Sequence, residues 1–408
     1  MNAIEVPTPK QPNRPTGVSW FPYHAGFSPA FVTGTLTAIA PETGAVVADP
    51  WNGAGTTTWA AAKEGYRTTG FDRNPVMVEV ARGRMMPACR AIKVKSIAQS
   101  VATAALSPEL DSEDPLRVWF GPLTAGAFRR AVQTAKAEPD RLIRGFLLTA
   151  LMRTAGALTR KFRAANPTWV KRPIGRRVSL AADGVASRFL AKVGQQLARP
   201  AAEWLGCDDY PTQIHEADAA AIPLAACSVD LVVTSPPYCT RVDYAQSTIV
   251  ELAVLGVGGP AASELRAKLT GTTSIRPILT EPGEEIGVTG QQLLAAIRSH
   301  SSKSSANYYW KTYVQYFADL AAAVRDTNRY LKPGGSAVYV VQDSWYKELH
   351  VNLARILTEI AIRFGWQLCA RKDFAVRRTL CSVNTRSRRY REEDACHETV
   401  LWFKISGR

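Results

Sequence analysis

A short apolar run, Ala45-Val46-Val47-Ala48, passes directly into Asp49-Pro50-Trp51-Asn52-Gly53-Ala54-Gly55, and the residues from Thr56 onward read as a helix. A second strand follows at Thr68 to Phe71 and ends in Asp72. Strand, glycine turn, helix and strand in this order predict a parallel crossover, the unit of a doubly wound, Rossmann-like α/β sheet. The acid falls 19 residues after Gly53. An acid at the end of the second strand accepts both hydroxyls of a ribose, while the glycine turn lets the backbone approach the ligand. A phosphate-binding loop wants Lys-Ser/Thr after its glycines, and none follows here. The pattern therefore suits an adenosine without a pyrophosphate.

The α/β pattern is interrupted and then resumes. From about residue 82 to 210 the reading is mainly helical. Leu142, Phe146, Leu147, Leu151, Ala155, Leu158 and Phe162 recur at helical spacing, with Arg141, Arg144, Arg153 and Arg160 on the other face. The net charge of +15 resides there, because residues 82–200 hold 22 Lys/Arg against 7 Asp/Glu (22 − 7 = +15) and the rest is neutral on balance. Such a cluster fits a polyanionic partner, since cations gain affinity by displacing counterions from phosphates. The predicted organisation is a loose tail at 1–16, a cofactor half at 17–81, a basic helical insertion at 82–210 and a catalytic half at 211–408.

The strand Asp230-Leu231-Val232-Val233 then runs into Thr234-Ser235-Pro236-Pro237-Tyr238. A helix over Tyr308 to Tyr330, the turn Leu331-Lys332-Pro333-Gly334-Gly335, the strand Ala337 to Val341, a helix from Val351 to Phe364 and strands near Gln367 to Ala370 and Thr399 to Phe403 complete the sheet.

With these motifs in place, the chain resembles the amino-methyltransferases of DNA, the N4-cytosine and N6-adenine family on the class I S-adenosylmethionine-binding fold. Asp49 to Gly55 matches its D-P-F-x-G-x-G motif, with Trp51 at the position of the Phe. The resemblance implies that Asp49, Trp51, Gly53, Gly55 and Asp72 form the S-adenosylmethionine site, with Asp49 near the methionine moiety, Asp72 on the ribose and Asp218 beside the adenine. It also makes Ser235-Pro236-Pro237-Tyr238 the catalytic motif. A base amino group is a poor nucleophile because its lone pair is conjugated with the ring. The Ser235 hydroxyl and the Pro236 carbonyl would take its hydrogens and localise that lone pair, two prolines would hold those acceptors rigid, and Tyr238 would stack on a base flipped from the duplex. Ser at the first position is the family tendency for cytosine N4, with adenine N6, an RNA base amino group and a non-catalytic recognition subunit as the other readings. Cytosine C5 chemistry needs a thiolate in a Pro-Cys motif, which is missing; Cys239 reads as structural.

Other segments carry narrower expectations. Phe21 to Pro29, including His24, resembles the family segment that closes over the methionine end. Ala165 to Pro173, with Trp169, reads as a strand-separating or phosphate-gripping loop, and residues 371–391, with eight basic residues and one acid, as a phosphate contact. Residues 242–305 read as an irregular segment that reads sequence or covers the base, and Asp343 and Ser344 as lining its pocket. The seven cysteines form no C-x-x-C pair, so neither a zinc site nor a disulfide framework is expected. Hydrophobic content of 46% with 21% charged residues is globular composition, and Gly145 to Leu158 is too short to span a bilayer. The expectation is a cytoplasmic enzyme whose partner is DNA, accompanied by a restriction nuclease or defence system.

Overall fold

The computed structural model describes residues 4–9, 20–22, 26, 28–164, 169–207, 212–240, 242–376 and 396–406. Nine strands occur among them: β1 Val46–Asp49, β2 Arg67–Asp72, β3 Thr212–Glu216, β4 Val229–Thr234, β5 Leu331–Gln342, β6 Ser344–Tyr346, β7 Leu349–Val351, β8 Trp366–Val376 and β9 Cys396–Ile405. Seven make one sheet in the order β3-β2-β1-β4-β5-β9-β8. The first five run parallel, and β9 is antiparallel to both its neighbours. This is a Rossmann-like doubly wound sheet, and its strand order reverses between β1 and β4. Loops leaving those two strands diverge to opposite faces and open a crevice at their carboxyl ends.

Helices cover both faces: α1 Pro29–Ile39, α2 Thr56–Lys63, α3 Pro75–Arg84, α4 Ala91–Ala105, α5 Pro122–Lys136, α6 Arg141–Leu158, α7 Ala182–Leu197, α8 Tyr244–Ser247, α9 Ile249–Val254, α10 Gly259–Lys268, α11 Gly287–Ser299, α12 Trp310–Tyr330 and α13 Leu353–Arg363. The central strands are apolar on both faces because both are covered. On β4, Leu231, Val232 and Val233 are consecutive and all fully buried.

Four features depart from the sequence reading. The predicted boundary at residue 82 falls inside α3, and Val76, Met77 and Val80 share one apolar core with α4 to α7 and α9. The helical segment is thus packed as a continuation of the sheet's covering layer. Within it, α6 is buried on nearly every side, Ile143, Leu148, Ala150 and Met152 as well as the predicted stripe, and Arg153 is itself half-buried. Residues 242–305 hold four helices in place of an irregular segment. Residues 4–9, placed in a loose tail by their prolines, instead bury Ile4 and Val6 against α1, with the Lys372 ammonium donating to the Val6 carbonyl at 3.0 Å. The remainder of that expected tail, residues 1–3 and 10–16, lies outside the described residues.

α3 and α6 cross through glycines. A Cβ on Gly145 would lie 2.7 Å from the Glu79 carbonyl, and one on Gly83 2.7 Å from the Gly145 carbonyl carbon, so two backbones meet where any side chain would separate them. Gly194 on α7 has open space around it. Gly145→Val is expected to destabilise the fold by about 2 kcal/mol through overpacking, whereas Gly194→Ala is expected to stabilise it by about 0.5–1 kcal/mol through helix propensity. Denaturant titration of both variants checks the opposite signs.

Candidate active site

The turn after β1 is organised by two carboxylates. Asp49 is 2% exposed, and its Oδ1 accepts from the Trp51 backbone N–H at 3.0 Å and the Thr234 hydroxyl at 2.6 Å, while Oδ2 accepts from the Thr57 hydroxyl at 2.7 Å. One side chain therefore joins the end of β1, the first turn of α2 and the last residue of β4. Asp72 accepts from the Gly53 N–H at 3.0 Å and the Asn74 N–H at 2.8 Å, which ties the end of β2 to the glycine turn. Gly55 caps α2 in the left-handed region at φ 77°, where an L side chain is strained. Burial pushes both the Asp49 and the Asp72 carboxyl up to about 6, partly offset by those hydrogen bonds.

A cleft of about 910 Å³, including its open mouth, lies at the carboxyl ends of β1 and β4. It brings Asp49, Trp51, Gly53, Asp72 and Asp218 together with the whole run Ser235 to Tyr238. Gly55 sits behind the wall, where it shapes the turn. Asp218 pairs with Arg73 at 2.8 Å in the wall of this cleft. The Asn52 side chain, 4% exposed, packs against Gly70 where a Cβ would stand, its Oδ1 accepting from the Thr58 hydroxyl at 3.0 Å and its Nδ2 enclosed without a hydrogen-bond partner. Asp72 keeps acceptor capacity beyond its two backbone donors. Gly26 also lines the cleft, while Tyr23 and His24 lie outside the described residues, as do residues 165–168 of the expected Trp169 loop and 377–391 of the expected phosphate contact.

The loop after β4 is clamped from several directions. The Tyr316 hydroxyl donates to the Pro237 carbonyl at 2.7 Å, the Tyr238 N–H reaches the Tyr244 hydroxyl at 3.4 Å, and the Ser344 hydroxyl donates to the Cys239 carbonyl at 2.8 Å. Tyr238 is half-buried, and its hydroxyl donates to Glu398 Oε1 at 2.8 Å. Burial, then the Glu398 charge, raise that hydroxyl well above its usual range, so it stays a neutral donor. The Tyr238 side chain thereby ties the loop after β4 to β9, with Ser235 also in the lining of the cleft. Ser344 braces the loop after β4; Asp343 is buried, pairs with His350 at 3.1 Å and does not line the cleft. Cys239 is buried, as a structural residue would be.

Glu398, Tyr244 and Tyr316 were not singled out by sequence reasoning. Glu398 stands 160 residues from Tyr238 and belongs to no motif. Only its register beside Gln342 on β5 brings it to the site.

Comparison with known proteins points the same way. The chain is 29% identical over 150 residues to the Type II methyltransferase M.AvaI of Nostoc sp. PCC 7120, and 28% identical over 159 residues to the Type II methyltransferase M.BsoBI of Geobacillus stearothermophilus. Over that stretch it is homologous to Type II methyltransferases. Each match covers 34% of this chain and 31% of the relative's length, so the chain aligns with about a third of either protein. No family model matches. A SAM-dependent methyltransferase from Methanosarcina mazei overlays 91% of this chain and 98% of its own, at 9% identity and a TM-score of 0.31. The fold assignment rests on the strand order, to which so loose an overlay adds nothing.

Among the described residues no group of three or more His, Cys, Asp or Glu could hold a metal ion, and no helix is long and apolar enough to cross a membrane.

The Asp49 and Asp72 carboxyls sit near 6 when folded against an ordinary 3.8, so their contribution to stability is fully present below about 3.8 and is lost as pH rises through 6. Asp49→Asn removes one of the two titrations. The gap in Tm between parent and variant, measured without ligand, is expected to be larger at about pH 5 than at about pH 7.5, either side of the raised value; a pH-independent gap would contradict the assignment.

Proposed function

We propose that this protein is an S-adenosylmethionine-dependent DNA methyltransferase that modifies an exocyclic amino group, with cytosine N4 as its target. The observation that carries this reading is that a ribose-type acid, Asp72, and the Ser235-Pro236-Pro237-Tyr238 run share one cleft, with the Tyr238 hydroxyl anchored on Glu398. S-adenosylmethionine supplies an electrophilic methyl on a sulfonium.

The residues present fit that group. Asp72, with acceptor capacity left beyond its two backbone donors, would accept the ribose hydroxyls, and Asp218 with Arg73 lies at the cleft wall proposed for the adenine. On the other side, Tyr238 is anchored by donating to Glu398, and the Ser235 oxygen in the cleft lining would accept an incoming N–H. Among the described residues the Pro236 carbonyl accepts no hydrogen bond, so it offers the second acceptor. Two acceptors on one amino group draw its lone pair out of conjugation and orient it. Bound S-adenosylmethionine would supply the methyl to the amino nitrogen, with the carbon–sulfur electron pair going to sulfur and the proton shed by the nitrogen going to solvent water, while the Ser235 hydroxyl and the Pro236 carbonyl would hold the amino group in line. No covalent bond to the enzyme is formed.

Tyr238's ring is available to stack while its hydroxyl is anchored, the arrangement a flipped base needs. The charge of the helical segment supplies an electrostatic footprint for the duplex. Modification of a cell's own DNA beside a restriction nuclease or defence system is the biological role that the resemblance implies.

Two measurements test this. DNA from cells expressing the protein, digested to nucleosides and analysed by mass spectrometry, is expected to contain N4-methylcytosine that is absent with Ser235→Ala. N6-methyladenine in its place would keep the mechanism and overturn the target, and neither base would overturn the reading. Separately, calorimetric binding of S-adenosylhomocysteine is expected to weaken as pH falls below about 6, because the ionised Asp72 is the better acceptor. Asp72→Asn is expected to bind roughly tenfold or more weakly, the order of one lost charge-assisted hydrogen bond, and to lose most of that pH dependence.

A further inference from the structure

Residues 171–177 read Lys171-Arg172-Pro173-Ile174-Gly175-Arg176-Arg177, with two cations on each side of one large apolar residue and no acid. Ile174 is 104% exposed, more than any other large hydrophobic residue described, and Gly175 turns the chain at φ 91°. The neighbouring Trp169 is 43% exposed.

This loop is held firmly at its base. Val170 is 2% exposed and the Lys171 N–H donates to the Phe162 carbonyl at 2.9 Å. On the other side Val178 is 9% exposed, donates to the Trp119 carbonyl at 2.8 Å and accepts from the Gly121 N–H at 2.8 Å. A seven-residue tip between two buried valines projects from the helical segment. It is also coupled to the site: the Gln246 side-chain amide donates to the Val170 carbonyl at 2.9 Å, and Gln246 lies on α8 with Tyr244, whose hydroxyl meets the Tyr238 N–H.

A lone, fully solvated isoleucine is too small a patch to hold a protein partner, yet it suits insertion between stacked bases when flanking cations grip the phosphates. We propose that residues 171–177 are a wedge for duplex DNA, with Lys171, Arg172, Arg176 and Arg177 on phosphates and Ile174 entering the base stack next to the flipped target. This rests on the DNA reading above and deepens it. The wedge offsets the cost of unstacking, which a strand already unpaired does not incur.

The test uses the full chain and labelled S-adenosylmethionine, with unmodified genomic DNA supplied either native or strand-separated. Ile174→Ala removes a side chain that is fully in solvent, so its melting temperature should match the parent's. It is expected to lower methyl transfer to native DNA about tenfold while changing transfer to separated strands by less than about twofold, in line with an unstacking cost met by the wedge. Arg172→Ala and Arg176→Ala are each expected to reduce the slope of log affinity against log salt by about 1. Equal loss on both forms of DNA, or none, would overturn the wedge and leave the methyltransferase reading intact. Methylation of RNA alone, or of neither nucleic acid, by the unaltered protein would overturn both.

Discussion

The Asp49 carboxylate is the point on which the site depends. Three donors from three elements converge on it, Trp51 from the turn, Thr57 from α2 and Thr234 from β4. Because Thr234 immediately precedes Ser235, the same carboxylate that shapes the glycine turn also sets where the Ser235 to Tyr238 loop leaves the sheet. Burying a carboxylate is costly, and here hydrogen bonding to it from all sides is what makes the burial tolerable. The two halves of the cleft, far apart in the chain, are thereby placed as one unit.

The second organising constraint is the clamping of the loop after β4. Two consecutive prolines restrict the backbone, and Tyr316, Tyr244 and Ser344 hold its polar groups from α12, α8 and β6. The segment after the motif and the helical segment meet at α8, through Gln246 and Val170. A basic segment and the clamped Ser235 to Tyr238 loop are thus joined by a short, hydrogen-bonded path. Positive charge concentrated in one segment favours approach of a polyanion, and the rigid loop fixes what reaches the cleft.

Much of this was legible in the sequence, and the reasons for the remainder are physical. Asp49, Gly53, Asp72 and Ser235 to Tyr238 sit beside strands whose apolar runs announce them, and local spacing determines their geometry. Glu398 was not legible, because its position depends on β9 pairing antiparallel with β5, a register that sets it opposite Gln342 and that no local pattern specifies. The burial of α6 was underestimated because its extra contacts come from α3 through Gly83 and Gly145, a crossing that periodicity along one helix does not reveal. Ile4 and Val6 were hidden by the prolines around them. In the turn at Leu331 to Gly335 the strand in fact continues, since Leu331 pairs with Val229 and Ser336 with Leu231, so that the glycines form a bulge within β5.

The most direct measurement is a crystal structure of the protein with S-adenosylhomocysteine. Ribose hydroxyls on Asp72, the adenine at the Asp218 wall and the thioether facing Ser235 are the expected result. A ligand bound elsewhere on the protein, or a cleft that stays empty at saturating concentration, would contradict the assignment of this cleft as the methyl-transfer site.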